Sequence, residues 1–271
     1  MDREGGLGTD APAKPSPRGA ASILLSYLAA IAIGEYFAAR GEAFPAIAVH
    51  LAVLFSLLFH AATLSARLPG LARFLMALSL APTLRVLSLS VPFWRFTIVE
   101  WLAIMSVPLL AACYAVLRAL PLRLGDAGLN LGPLRRLHWQ FGVALTGIPL
   151  GAAEFLILRP TAWIADYSAA SFGFAVLAIA LATGLAEELI FRGILQKSAS
   201  AFAGPTSGIL YVTGVFAVLH LGSAAPVDVA FAFLVGLFFA WIVFRTGSLF
   251  GVVAAHTLIN VMLYLVVPLY A

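Results

Sequence analysis

Charged residues are scarce in this chain and cysteine is nearly absent, and each shortage narrows what the protein can be. Charged side chains make up 10% of the 271 residues, against about 25% in soluble domains, so water is not the main solvent of the folded state. A single cysteine, Cys113, excludes an internal disulfide and a thiolate-ligated metal centre. Flanked by Ala111 and Ala112 in an apolar run, it reads as a buried, inert packing residue. Long blocks of like charge are missing too. Lys and Arg stand singly or in pairs at the ends of apolar runs, so the formal charge of +4 reports membrane topology and not a nucleic-acid surface. Nor does the chain open on a charged n-region followed directly by a short apolar core and cleavage site, so no signal peptide is expected and the first apolar run is a retained anchor.

What is abundant is apolar length. Hydrophobic residues account for 62% of the chain and the mean hydropathy is +1.03. Runs near the 20 residues needed to cross a bilayer lie at about 20–39, 45–65, 74–94, 97–117, 140–158, 171–196, 205–222, 227–244 and 248–269. This pattern predicts an all-α, polytopic integral membrane bundle of eight to nine transmembrane segments. Residues 1–19, rich in Gly, Pro and Ala with both charge signs, read as a disordered tail. They precede N-terminal membrane helices over 20–160 and catalytic helices of the same membrane domain over 161–271. The third run carries Arg85 at its centre between Pro82 and Pro92; a mid-membrane Arg needs a partner or water, so a broken or re-entrant helix is expected there. Residues 121–138 mix Leu122, Leu124, Leu129, Leu131 and Leu134 with Arg123, Arg135 and Arg136, which suits an interfacial segment. With nine crossings and a cytoplasmic N-terminus, the inner segments hold eleven basic residues. The outer ones hold only Arg40, Arg95 and Arg159. The Ala/Leu/Arg-rich composition suits a bacterial inner membrane.

Ionisable groups inside membrane helices are functional candidates because each needs a partner or a wet cavity. The sixth run contains Thr183-Gly-Leu-Ala-Glu187-Glu188-Leu-Ile-Phe-Arg192-Gly193. Glu188 and Arg192 are four apart, on one helix face, in the favourable acid-first order; Glu187 points about 100° away. Arg192 is therefore expected to fix and neutralise Glu188, leaving Glu187 to titrate. The seventh run contains Phe216 and His220, and the ninth His256 and Asn260, each pair again four apart. Any one of these alone reads as a hydrogen-bonding link between helices. Together they supply a base, a partner and oxyanion donors, which activation of water requires. Glu35, His50, His60, Glu100 and Glu154 read first as packing or interfacial groups, with lining of the cavity as the alternative. Gly184 and Gly193 read as close-packing positions, and Trp94, Trp101, Trp139 and Trp163 as an interfacial belt.

The order EExxxR, FxxxH, HxxxN over residues 171–262 resembles the intramembrane family of CAAX prenyl endopeptidases and bacteriocin-processing or self-immunity proteins. The resemblance implies a membrane peptidase of about eight helices in which Glu187 with His220 activates water. It further implies that His256 and Asn260 stabilise the oxyanion while Glu188 and Arg192, with Phe216, support the site. Its substrate would be a membrane-associated protein or peptide, in some members a prenylated one. Other intramembrane proteases lack counterparts: there is no HExxH, no rhomboid-like context around Gly222-Ser223 and no paired Gly-Asp motif. A non-catalytic immunity or scaffold protein, or a small proton-coupled transporter, is the rival reading. No cofactor is expected, since a zinc site of Glu187, His220 and His256 would consume the best base and Asn260 is a poor zinc ligand. The zinc alternative stays open at this point.

Overall fold

The computed structural model describes residues 17–92, 95–132 and 137–271. The tail residues 1–16, Trp94, and Leu134, Arg135 and Arg136 of the interfacial segment lie outside the described residues. Every regular element among the described residues is helical, as a long apolar chain demands: in hydrocarbon each backbone N–H and C=O must be paired within its own segment. The helices are α1 (Pro17–Ala39), α2 (Ala43–Leu64), α3 (Pro69–Leu78), α4 (Leu80–Ser90), α5 (Ile98–Ala119) and α6 (Leu137–Leu158). They continue with α7 (Ala169–Ala203), α8 (Pro205–Val218), α9 (Pro226–Thr246) and α10 (Phe250–Leu269).

Among the described residues eight stretches are long and apolar enough to cross a membrane, with α3 and α4 joined at Ser79 forming one of them. The Arg85 run is thus broken, one of the two forms expected of it, and its two helices together have the length to span and not only to re-enter. Its central charge is tolerated because Arg85 on α4 is bonded by Glu35 on α1. The run expected over 205–222 is the one that falls short. Helix α8 stops at Val218 after 14 residues, about 21 Å against a hydrocarbon core of about 30 Å, and a single 3₁₀ turn over Leu221–Ser223 follows.

Contacts between the connections nevertheless fix which end of the bundle each reaches. At one end Lys197 donates to Asp126 O (2.6 Å), Asn130 donates to Gly247 O (3.2 Å), and Ser248 donates to Asn130 O (2.8 Å). Ala20 of α1 and Ser207 of α8 border one apolar recess at this same end, together with Ala199 and Phe202 of α7. At the other end Trp163 N donates to Tyr264 O (3.1 Å) and Tyr167 to Leu265 O (2.9 Å). The described residues thus pass from end to end nine times, with α8 as the short passage.

Glycine sets the closest helix pair. A methyl group added at Gly147 or Gly151 of α6 would run into the backbone carbonyls of Ala255 and Ile259 on α10, a small-xxx-small contact of the kind that lets membrane helices approach. Gly184 on α7 abuts Thr257 and Val253 of α10, and Gly193 abuts the Ala127 carbonyl, in the same way. Cys113 is fully buried in the core. Outside the apolar spans, Asp166 in the connection before α7 accepts hydrogen bonds from the side chains of Ser168 and Ser171 and from Ser168 N. These hold its carboxyl at a pKa of about 2 and shape the entry into α7.

The nine passages predict that reporters fused before Met1 and after Ala271 face opposite sides of the membrane. Paired alkaline phosphatase and cytoplasmic fluorescent fusions at both termini should therefore give opposite readings. Matching readings at the two ends would mean that α8 does not carry the chain across.

Candidate active site

Helix α7 is 35 residues long and is not regular. Two π-helical stretches, Ala180–Leu185 and Leu189–Leu195, flank the three residues Ala186–Glu188. Such wide turns occur chiefly at functional sites, because they displace side chains from the register of a uniform helix. Here they bracket the paired glutamates. Glu187 faces a cavity of about 450 Å³, and Glu188 lies behind its wall, fully buried.

Glu188 is the point where the C-terminal helices meet. Its Oε1 accepts from Arg192 Nη1 at 2.8 Å and lies 2.8 Å from His256 Nδ1. The Arg192 guanidinium also donates to Gly236 O of α9 (3.3 Å) and stands 4.3 Å from the Phe216 ring centroid, a cation–π contact in a desolvated place. Gly236 eases that approach, since a Cβ there would sit 3.1 Å from both Arg192 Nη2 and Phe216 Cδ1, a tight contact. Phe216 in turn packs on His220, with ring centroids 4.7 Å apart, and its carbonyl lies 2.9 Å from His220 Nδ1. Asn260, one turn beyond His256, donates from Nδ2 to Thr183 Oγ1 at 3.0 Å.

Glu187, Phe216, His220, His256 and Asn260 all line the one cavity, while Glu188 and Arg192 back it. The constellation expected from the three motifs is therefore assembled in one place. A difference in depth, with His220 near the outer end of its run and Glu187 and His256 nearer the inner half of theirs, would keep them apart in three straight spans. The helix boundary resolves it: α8 ends at Val218, so His220 sits on the turn below the bundle surface. The cavity itself extends from mid-bundle toward the Trp163 end, where Ala38, Leu89, Ile98 and Leu158 line it.

Other lining groups carried no motif. Arg85 on α4, Glu154 on α6, Asp228 in the first turn of α9 and Tyr264 on α10 all border the cavity. Glu154 is thus a cavity group and not the packing or interfacial residue its position suggested. Trp101 and Trp163 likewise turn inward to the cavity, Trp163 stacked on Tyr264 at 3.6 Å, while Trp139 is exposed as a belt residue should be. Three of the remaining polar groups do have packing roles. His60 lies 2.6 Å from the Tyr27 hydroxyl, Glu100 closes a capping box with Thr97 at the start of α5, and His50 stands 3.1 Å from Glu35. Gly34 makes room for the His50 ring.

The N-terminal half reaches the site through Arg85. Its Nε donates to Glu35 Oε1 (2.6 Å), its Nη2 bonds Glu35 Oε2, and Nη2 also donates to Leu219 O (2.5 Å), the carbonyl immediately before His220. Glu35 is fully buried and its other neighbour, His50 Nε2, is near but not aligned for a hydrogen bond. No sequence signal links residues 35, 50 and 85; their partnership exists only through the packing of α1, α2 and α4.

Long apolar helices around a partly open cavity lined by carboxylate, imidazole and carboxamide groups define a polytopic helical membrane protein. Residues 169–262, from the start of α7 into α10, match the family model for the Type II CAAX prenyl endopeptidase Rce1-like group. That is the family the three motifs resemble, and the matched segment contains all of them. No curated protein and no solved structure matches the chain.

Replacing Arg85 by Met should strand the Glu35 charge and cost roughly 3–5 kcal/mol, the usual penalty for breaking a buried pair. The double variant Glu35→Gln/Arg85→Met should recover most of that loss in thermal unfolding of the detergent-purified protein. A double variant no more stable than Arg85→Met would show that Glu35 does not depend on this cation.

Proposed function

We propose that the protein is an intramembrane endopeptidase that hydrolyses a peptide bond of a membrane-associated protein or peptide, in the manner of CAAX-type processing. The observation that carries this reading is the convergence of Glu187, His220, His256 and Asn260, from three separate segments, on one cavity. The Rce1-like match over 169–262 supports it.

In the proposed reaction Glu187 takes a proton from a water molecule whose oxygen bonds to the scissile carbonyl carbon. The resulting oxyanion collapses, the C–N bond breaks, and the proton passes from Glu187 to the leaving amine, giving a carboxylate and a free amine. His220 assists as acceptor. A carbonyl only accepts, so the Nδ1 that faces Phe216 O carries the hydrogen, which makes Nε2 the acceptor atom of the neutral ring. His256 is constrained in the same way: Glu188, ionised opposite Arg192, accepts from Nδ1–H. Its Nε2 then donates to an oxyanion when the ring is an imidazolium. Asn260 spends one Nδ2 hydrogen on Thr183 and keeps the second for the same oxyanion.

The reading is a glutamate-activated water without metal, because a zinc site of Glu187, His220 and His256 would consume the best base and Asn260 suits an oxyanion better than a zinc ion. Among the described residues no three His, Cys, Asp or Glu side chains are grouped as metal ligands. The excess of basic residues at the Lys197 end supports placing that end and the N-terminus in the cytoplasm of a bacterial inner membrane. The cavity then occupies the outer half of the bilayer.

Glu187→Gln should abolish cleavage of a membrane-anchored peptide, by at least about 10²-fold, with the fold retained. Arg192→Ala should instead reduce folded yield, because it strands Glu188 at a cost of roughly 3–5 kcal/mol. Turnover measured beside size-exclusion profiles separates the two, and a well-folded, active Arg192→Ala protein would contradict these roles.

Purified protein treated with a strong chelator should keep its activity and carry no stoichiometric zinc. Activity that disappears on metal removal and returns with zinc alone would reassign Glu187 and both histidines as ligands.

A further inference from the structure

Beyond Glu187, two more carboxylates line the cavity, Glu154 from α6 and Asp228 from the first turn of α9. Glu154 lies within electrostatic reach of Asp228, His256 and Glu187. Asp228 is the more constrained. It is 2% exposed, its Oδ1 has no hydrogen-bond donor, and no ion pair reaches it among the described residues. The start of α9 provides only the partial positive charge of a helix N-terminus. The one Arg on the cavity wall, Arg85, is held by Glu35 and Leu219 O, and Arg192 behind the wall is held by Glu188. A buried acceptor with no protein donor is complete only when an occupant brings the donor.

We propose that Asp228 and Glu154 form an acidic subsite beside the reacting bond that takes a basic side chain, lysine or arginine, of the peptide substrate. The inference rests on the reading of the cavity as a peptidase site and names a substrate feature which that reading leaves open. The cation pairs with Asp228 and relieves the repulsion between the two carboxylates. Its aliphatic stem lies along Phe231, Ala232 and Val235 of α9, which line the same cavity, as long basic side chains do on apolar walls. A side-chain cation suits the place better than a chelated ion, because the carboxylates and histidines do not group as metal ligands.

The test uses the full-length chain in lipid nanodiscs and a matched pair of probes, N-acetyl-lysine methylamide and N-acetyl-norleucine methylamide, titrated by ligand-observed NMR. The lysine compound should bind at least tenfold more tightly than the norleucine compound. Asp228→Asn should bring the two within twofold of each other, and Glu154→Gln should weaken the preference as well. The second variant decides the matter if the first does not fold, as judged by size exclusion and circular dichroism. Equal affinities, no binding of the lysine compound, or a preference that survives substitution at both positions overturns the subsite. Hydrolysis is not scored: a chain that binds lysine but cleaves no peptide defeats the peptidase reading alone, and one that cleaves peptides without preferring lysine defeats the subsite alone.

Discussion

The buried carboxylate of Glu188 is the constraint on which the site depends. In the interior of an apolar bundle an isolated carboxylate is untenable, so Glu188 must be met by a cation, and Arg192 one turn along α7 meets it. Arg192 then needs further partners for its own donors, which brings α9 to it through the Gly236 carbonyl and α8 through the Phe216 ring. The same carboxylate oxygen fixes His256 on α10. One charge that cannot be left alone therefore sets the relative placement of four helices, and with them the walls of the cavity.

A second buried charge does the corresponding work from the other half of the chain. Arg85 is neutralised by Glu35 and spends a remaining donor on the carbonyl preceding His220. The turn after α8 is short, lacks a regular helix and is closed over Arg85 by Gly222, where an added Cβ would lie 3.1 Å from the guanidinium. Anchoring such a turn through its backbone holds an imidazole at a fixed depth without lengthening α8. The N-terminal helices, which carry none of the three motifs, are in this sense part of the site's support.

The chemistry was legible in the sequence wherever it repeated at helical spacing. Glu188 with Arg192, Phe216 with His220 and His256 with Asn260 each stand four residues apart, and in a helix that spacing alone places both side chains on one face. Partners drawn from distant segments left no such trace. Glu35, His50 and Arg85 looked like isolated polar residues in apolar runs, and Glu154 and Asp228 had no neighbour in sequence to betray their cavity. The extent of α8 was misjudged for a related reason: hydropathy records that 205–222 is apolar but not that the helix unwinds after Val218.

By itself the sequence determined the solvent and the secondary structure. In hydrocarbon a backbone is satisfied only as helices or a closed barrel, and apolar runs of about 20 residues select helices; the motif order is likewise contained in the primary structure alone. Only the tertiary structure decided which end each connection reaches, that the Arg85 run breaks at Ser79 yet extends from end to end while α8 is the short passage, and which carboxylates face the cavity. Those are questions of which unlike charges and which carbonyls meet across helices. Such meetings depend on helix placement, tilt and the wide turns of α7, none of which is encoded by residue spacing within a single run.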